Sequence, residues 1–312
     1  MQNPRDVLTP ESLSMLQSIA DAGSFAAAAR LLGVVPSALT YRVRQLEDAL
    51  DVLLFDRSAR QARPTPAGVE LLREGAHVLA AIDAMANRVK RVATGWEAQL
   101  TIAVDGIISQ TTMMELCEGF YAMKPSTRLR LRDETLSGTL AALTSGVADL
   151  AIGVPETVNN TDIHSKPLGD VRFVYAVAPH HPLAAITEPL PDATLARFRA
   201  VAVADTDQRG GGQTFGLFGG QDVFTVASMR AKLQAQLRGM GSGFVPECMA
   251  RGYIETGLLV VLATERAQRV VRPHYAWRAA ARGKMGRAMQ WWLARLDTAK
   301  TREALLSHHA HT

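Results

Sequence analysis

The sequence predicts an α/β protein in two parts: a short, mainly helical N-terminal domain built as a winged helix-turn-helix, and a larger C-terminal α/β domain. Three observations carry this. Three short helical periodicities, separated by glycines, precede an arginine-bearing hairpin within residues 1–65. One uninterrupted helical stretch follows. From residue 100 onward, short apolar strands alternate with helical segments, as a sheet with crossover helices requires. A chain of 312 residues, 47% hydrophobic and 21% charged, has material for two such cores.

Thr9 and Pro10 form a helix start, a hydroxyl cap followed by proline at the first helical position. Leu13, Leu16 and Ala20 recur at helical spacing, and Gly23 supplies a left-handed stop. Ser24 caps a second helix, Phe25 to Leu32, rich in alanine, and Gly33 ends it. Pro36 opens a third helix. Its apolar stripe, Leu39, Val43, Leu46 and Leu50, turns Ser37, Tyr41, Arg44 and Gln45 to the opposite face, with Thr40 and Arg42 on the flanks. One side is anchored and the other presents hydroxyls and guanidinium groups, as a helix entering a DNA groove does.

Val52 to Phe55 reads as a strand, and a return strand before Pro64-Thr65-Pro66 makes a wing. Arg57, Arg60 and Arg63 lie on it, placed to meet phosphates. Residues 36–65 hold five arginines against four acids, and the whole chain has a net charge of +4, so placement rather than bulk charge carries the DNA reading. A plain solvated surface is the alternative for any single arginine. From Thr65 and Pro66 a helix runs to about Ala93. Val78, Ile82, Met85, Val89 and Val92 mark a near-heptad seam, or else the inner face of an ordinary amphipathic helix.

In the second part, strands are expected at Leu100–Val104, Arg128–Arg132, Gly146–Gly153, Val171–Ala178, Ala200–Ala204, Val223–Val226, Leu258–Leu262 and His274–Trp277. The first three, with helices between them, argue a parallel sheet. Helix starts at the carboxyl ends of such strands attract anions and polar ligands.

Other classes find little support. Cys117 and Cys248 stand outside any CxxC and read as reduced core thiols. The N-terminus lacks a secretory pattern, and no apolar run approaches the roughly 18 residues of a membrane span, so a soluble, cytoplasmic protein is expected. The glycines from Gly210 to Gly220 lack the lysine of a phosphate-binding loop and read as a mobile loop. His180, His181, His308, His309 and His311 lack partners at metal-ligand spacing. No metal, no cofactor and no enzymatic activity is expected.

The runs Ser24-Phe25-Ala26-Ala27-Ala28-Ala29, Pro36-Ser37-Ala38-Leu39-Thr40, Arg44-Gln45-Leu46-Glu47, Leu54-Phe55-Asp56-Arg57 and Thr65-Pro66-Ala67-Gly68 resemble the DNA-binding domain of LysR-type transcriptional regulators. The likeness spans about residues 8–70. Gly146-Val147-Ala148-Asp149-Leu150-Ala151-Ile152-Gly153 and His181-Pro182-Leu183 are similar to the same family's two-lobed, periplasmic-binding-protein-like effector domain. One departure stands out: Val35 and Pro36 occupy places where the family usually has serine and glutamine. Val35 cannot cap the helix, a loss of about 1 kcal/mol.

The resemblance implies a DNA-binding domain over 1–65 and a linker helix over 66–94. Lobe 1 takes 95–165 and 268–300, lobe 2 takes 166–267, and 301–312 is a flexible tail. It implies double-stranded DNA as partner, contacted by Ser37, Thr40, Tyr41, Arg42, Arg44, Arg57, Arg60 and Arg63. It implies a homo-oligomer, dimeric through the linker helix and assembled to a tetramer. It also implies a small-molecule effector in the cleft between lobes. The strand ends place Asp105, Gly106, Ile107, Ser109, Thr135, Leu136, Ser137, Ala204, Asp205, Thr206, Val226 and Ser228 there. Their hydroxyls and amides suit a small carboxylate, although each Ser or Thr serves equally as a plain helix cap.

Overall fold

The computed structural model describes residues 4–56, 62–155, 162–207, 216–267, 269–279 and 285–309. The chain forms two compact units, Met1–Val89 and Lys90–Thr312.

The first unit begins with α1 (Pro4–Val7) and α2 (Pro10–Ala22). Thr9 and Ser12 cap α2 reciprocally, each side-chain oxygen accepting from the other's backbone N–H, and Gly23 closes it at φ 65°. The Ser24 hydroxyl accepts from Ala27 N to start α3 (Phe25–Leu32). The third helix of the helix-turn-helix, α4 (Pro36–Leu50), has no side-chain cap, as Val35 foretold. Leu39, Val43 and Leu46 bury against Leu16, Ile19 and Phe55, and Ala28 and Ala29 let α3 approach closely.

The strand expected over 52–55 is shorter. It is β1 (Phe55–Asp56), antiparallel to β2 (Arg63–Pro64). The reason is Glu47, a buried side chain on α4 that accepts from Leu54 N at 2.9 Å, so that amide serves α4 rather than a ladder, and from Phe55 N at 3.4 Å where the strand begins. The linker helix α5 (Pro66–Thr94) starts where Thr65 accepts from Gly68 N and donates to the Leu53 carbonyl. A Cβ on Gly68 would collide with the Leu54 carbonyl oxygen, so the wing and the helix start need glycine there.

The second unit has two lobes. Lobe 1 is built from β3 (Gln99–Asp105), α6 (Gln110–Tyr121), β4 (Arg128–Glu134), α7 (Gly138–Thr144), β5 (Leu150–Val154) and β6 (Ile163–Pro167). Lobe 2 holds β7 (Val171–Val177), α8 (Asp192–Leu195), β8 (Ala200–Val203), β9 (Val223–Val226), α9 (Met229–Leu237), β10 (Gly243–Pro246), α10 (Glu247–Glu255), β11 (Val260–Leu262) and β12 (Arg269–Val271). The chain returns to lobe 1 with β13 (His274–Arg278), α11 (Arg287–Leu296) and α12 (Ala299–Ser307).

The lobe 1 sheet has the order β4-β3-β5-β13-β6. Its first three strands are parallel as expected, but β13 runs antiparallel to both β5 and β6, so the sheet is mixed. In lobe 2, β10, β11 and β12 all pair antiparallel with β7, and β8 and β9 pair in parallel. The lobe 1 core centres on Ile102, Phe120, Ile152, Tyr275 and Trp292. Glu97, buried, accepts from Ala288 N and Met289 N and so holds the start of α11.

Two expectations about boundaries are corrected. The chain crosses between lobes at 168–170 and 272–273, not at 165/166 and 267/268. The cause is that β6 continues through Pro167 on β13, and β12 continues through Val271 on β7. The two crossings lie side by side: Leu168 N donates to Pro273 O at 2.8 Å, and Arg272 pairs with Asp170 at 2.6 Å. The tail expected from residue 301 is instead mostly helix α12, capped by Thr298, with Leu305 and Leu306 buried in the lobe 1 core.

Candidate functional site

The outward side of α4 is open. Ser37, Tyr41, Arg42 and Arg44 are exposed, Tyr41 at 64%, while Thr40 and Gln45 are half-buried. Local bonds order this surface: Thr40 Oγ1 donates to Pro36 O at 3.0 Å, and Gln45 Nε2 donates to the Tyr41 hydroxyl at 3.1 Å. Because α4 is fixed by its leucine stripe, these groups project from a rigid base. Arg63 is exposed on β2, whereas Arg57 and Arg60 lie outside the described residues. Ala62 N donates to Gly23 O, tying the wing to the turn between α2 and α3.

On α5, the expected seam is solvent-facing within the chain. Val78, Met85 and Val89 are exposed and Val92 is 90% exposed, so four of its apolar side chains await cover.

In the second unit, a cavity of about 210 Å³ lies between the lobes. Lobe 1 contributes Asp105, Gly106, Ile107, Thr135 and Leu136, five of the residues expected at strand ends. Asp105 shapes that wall. Its two carboxylate oxygens accept from Ile107 N at 2.9 Å and Leu136 N at 3.0 Å. The second bond holds Leu136 at φ 56°, a left-handed conformation that a branched side chain rarely adopts. Burial pushes the Asp105 carboxyl up to about 7, against the lowering pull of the two amides and aided by the nearby Asp205 charge.

Other expected ligand groups engage each other. Ser137 Oγ donates to Asp205 Oδ2 at 2.5 Å, and Thr206 Oγ1 accepts from Thr135 N at 3.0 Å. These bonds join lobe 1 to lobe 2 as a polar latch. A Cβ on Gly138 would collide with the Thr206 hydroxyl, so glycine permits the approach. Ala204 N donates to Val226 O within lobe 2, and Ser228 caps α9 through Ala231 N. Ser228 and Thr206 line a second cavity of about 430 Å³ that shares Asp105, Gly106 and Thr135 with the first. Ser109 lines neither cavity: it is fully buried, caps α6 and donates to the His308 carbonyl.

Lobe 2 supplies what the sequence reading missed. Phe173, Met229, Phe244 and Val271 give apolar walls, and Lys232 and Arg269 bring positive charge. Lys232 is only 7% exposed, and burial, with Arg269 nearby, pulls its ammonium down to about 8. Burial also lowers Arg269, whose guanidinium lies 5.4 Å from the Phe173 ring centre. A signal for Lys232 existed. Met229, Leu233 and Gln236 trace the buried face of α9 at helical spacing, and Lys232 falls on that same face.

Among the described residues, no cluster of three or more His, Cys, Asp or Glu side chains could hold a metal ion. Cys117 and Cys248 are unpaired, and burial raises both thiols, which weakens them as nucleophiles. His181 Nδ1 accepts from Leu183 N, a turn cap rather than a ligand. Among the described residues, no helix is long and apolar enough to cross a membrane.

Residues 10–69 match the family described as bacterial regulatory helix-turn-helix protein, lysR family, and residues 93–300 match the LysR substrate binding domain. The chain is 36% identical over 281 residues to the uncharacterized HTH-type transcriptional regulator YeeY of Escherichia coli K12, covering 90% of each chain. It is 32% identical to the HTH-type transcriptional activator AllS of Klebsiella pneumoniae, over 81% of this chain and 95% of that one. Among solved structures, full-length AphB of Vibrio cholerae superposes with a TM-score of 0.56 at 16% identity, covering 92% and 98% of the two chains. ArgP of Mycobacterium tuberculosis gives 0.52 at 19%, covering 95% and 97%. At those identities the structures speak to fold alone.

Proposed function

The chain belongs to the LysR-type family of transcriptional regulators, DNA-binding proteins with an effector-binding domain, and from that premise we propose how this chain divides the work. The carrying observation is the exposed polar side of α4 on its buried leucine stripe. Ser37, Thr40, Tyr41 and Arg44 face base edges or nearby backbone in the major groove, and Arg42 and the wing arginines Arg57, Arg60 and Arg63 neutralise phosphates. With Val35 and Pro36 ahead of it, base reading rests on these later positions of α4.

The apolar seam of α5 supports a dimer through that helix. Two recognition helices then read half-sites about one DNA turn, or a multiple of it, apart. Pairing of dimers to a tetramer follows the family pattern. The cavity between the lobes takes a small-molecule effector, with a carboxylate as the favoured chemistry. Asp105, Gly106, Ile107, Thr135 and Leu136 line the cavity itself, while Ser137, Ala204, Asp205, Thr206, Val226 and Ser228 form its rim and latch. Binding and the state of the latch are then coupled, with a typical coupling of about 1–3 kcal/mol. We place the protein in the cytoplasm and read it as a regulator, not an enzyme.

The test is fluorescence anisotropy of the pure protein on the DNA upstream of its own gene, titrated with salt. Arg42→Ala and Arg63→Ala should each weaken binding to all sequences and lower the salt slope by about 1. Slopes identical to wild type would remove these residues from the interface, and no binding in dilute salt would end the regulator reading.

A further inference from the structure

Resting on the reading of the second unit as an effector-binding domain, we propose that the interlobe cavity selects a small monocarboxylate with an apolar body, and that the Lys232 ammonium is its counter-ion. Lys232 lies on α9, in lobe 2, and lines the cavity while more than nine-tenths buried. Among the described residues its ammonium takes part in no hydrogen bond or ion pair, and it keeps contact with the open cavity rather than being sealed. Its charged neighbour Arg269 repels it and lines the same cavity. A buried charge without a partner is costly, and proteins pair such groups or neutralise them. Among the described residues no carboxylate pairs with it, which leaves that place open to a ligand.

The backbone makes room for this ammonium. Gly243, at the start of β10, sits at φ 152°, and a Cβ there would press within 3.2 Å of Lys232 Nζ. The ammonium therefore rests against a glycine rather than a side chain that could bond it. Gln236, one turn further along α9, donates instead to the Gly243 carbonyl and leaves Lys232 to face the cavity.

Charge sign and wall chemistry fix the ligand class. Two cations converge from lobe 2. The acid on the opposing wall, Asp105, already has both oxygens engaged by amides, so it offers little to a cationic ligand. The remaining lining, Ile107, Leu136, Phe173, Met229 and Phe244, is apolar and can cover a hydrocarbon or aromatic body. A cavity of about 210 Å³ lies below the roughly 300–1,000 Å³ of drug-sized ligand sites, which favours a small body. Phosphate would leave these apolar walls without a partner, and an amine would meet two like charges. A carboxylate on an apolar body satisfies both halves of the lining.

The experiment uses the full chain at pH 7 with benzoate and hexanoate as probes, and benzamide, hexanamide and inorganic phosphate as controls. At least one carboxylate should raise the unfolding midpoint of the second unit, and at matched concentration its amide and phosphate should not. By calorimetry, Lys232→Met should weaken that carboxylate about tenfold or more, and Lys232→Arg should retain most of the affinity. No response to either carboxylate, an equal response to the amides, a larger response to phosphate, or an unchanged affinity in Lys232→Met would each overturn the proposal. Anisotropy on the upstream DNA separates the two readings. Salt-dependent DNA binding without any carboxylate response sinks the ligand class alone, and loss of DNA binding sinks the regulator reading.

Discussion

Replacing Lys232 by methionine should make the ligand-free protein more stable. The ammonium is buried on α9 and its pKa falls from 10.5 to about 8, chiefly through loss of hydration, with Arg269 adding repulsion. At about 1.36 kcal/mol per pKa unit, that fall corresponds to about 3 kcal/mol of folding free energy forgone. Methionine has similar length and no charge, so the substitution keeps the packing and removes the penalty. For a domain of about 150–250 residues, about 2–4 °C accompanies each kcal/mol, which predicts a midpoint about 6–12 °C higher.

The pH dependence carries the sign. Below pH 8 both folded and unfolded chains hold the proton, and the whole penalty applies. Between about 8 and 10.5 the folded chain releases the proton first, and the penalty fades as pH rises. The advantage of Lys232→Met is therefore largest near pH 7 and small by pH 10.5. Arg269 repels the ammonium, and that repulsion is part of the penalty that Lys232→Met removes, while Asp105, which titrates near 7, faces the same cavity in both proteins. Urea unfolding of the two proteins at pH 7 and pH 10 measures the difference. A destabilised Lys232→Met, or a gain that does not shrink with pH, would refute the account of an unpaired buried charge.

Three further outcomes are expected. Glu47→Ala leaves the buried Leu54 amide without its acceptor, which costs about 1–3 kcal/mol of the first unit's stability in denaturant and weakens DNA binding, while Glu47→Gln retains much of both. Ser137→Ala removes the bond to Asp205, so hydrogen exchange should speed up at residues 135–137 and 205–207, with the amides of β3 and β5 still protected. Leu305→Ala opens the lobe 1 core at α12 and should lower the second unit's stability by about 2–5 kcal/mol, a loss that a frayed tail could not produce.

What could be read from the residues divides along a physical line. Helices with caps and glycine stops were legible: Thr9, Ser24 and Pro36 mark starts that hold in the structure. The exposed side of α4 followed from the leucine spacing alone. Strands β6 and β12 were not foreseen because Ile163–Pro167 is polar in its middle and Arg269–Val271 is only three residues long, and only pairing defines them. Helix α12 was hidden because its buried leucines fall late, after a polar first turn.

At the ligand cavity, position along the strand ends located lobe 1's wall. It could not reveal that Ser137, Asp205, Thr135 and Thr206 would satisfy one another across the lobes. Nor could it show that a lysine on the buried face of α9 would line the cavity, since a charge on a core stripe is read first as an interruption of the stripe.

Lobe 2 enters and leaves through neighbouring segments, Leu168 bonded to Pro273. In topological terms it is a guest inserted into a host. The stretch between those residues is thus a cassette that could be exchanged for another at two closely spaced joints. Both cations of the cavity travel with it, while the DNA-reading helices and the Asp105 wall stay behind. A chimera carrying this cassette in a related regulator should inherit the charge preference for its inducer and retain the operator of its host.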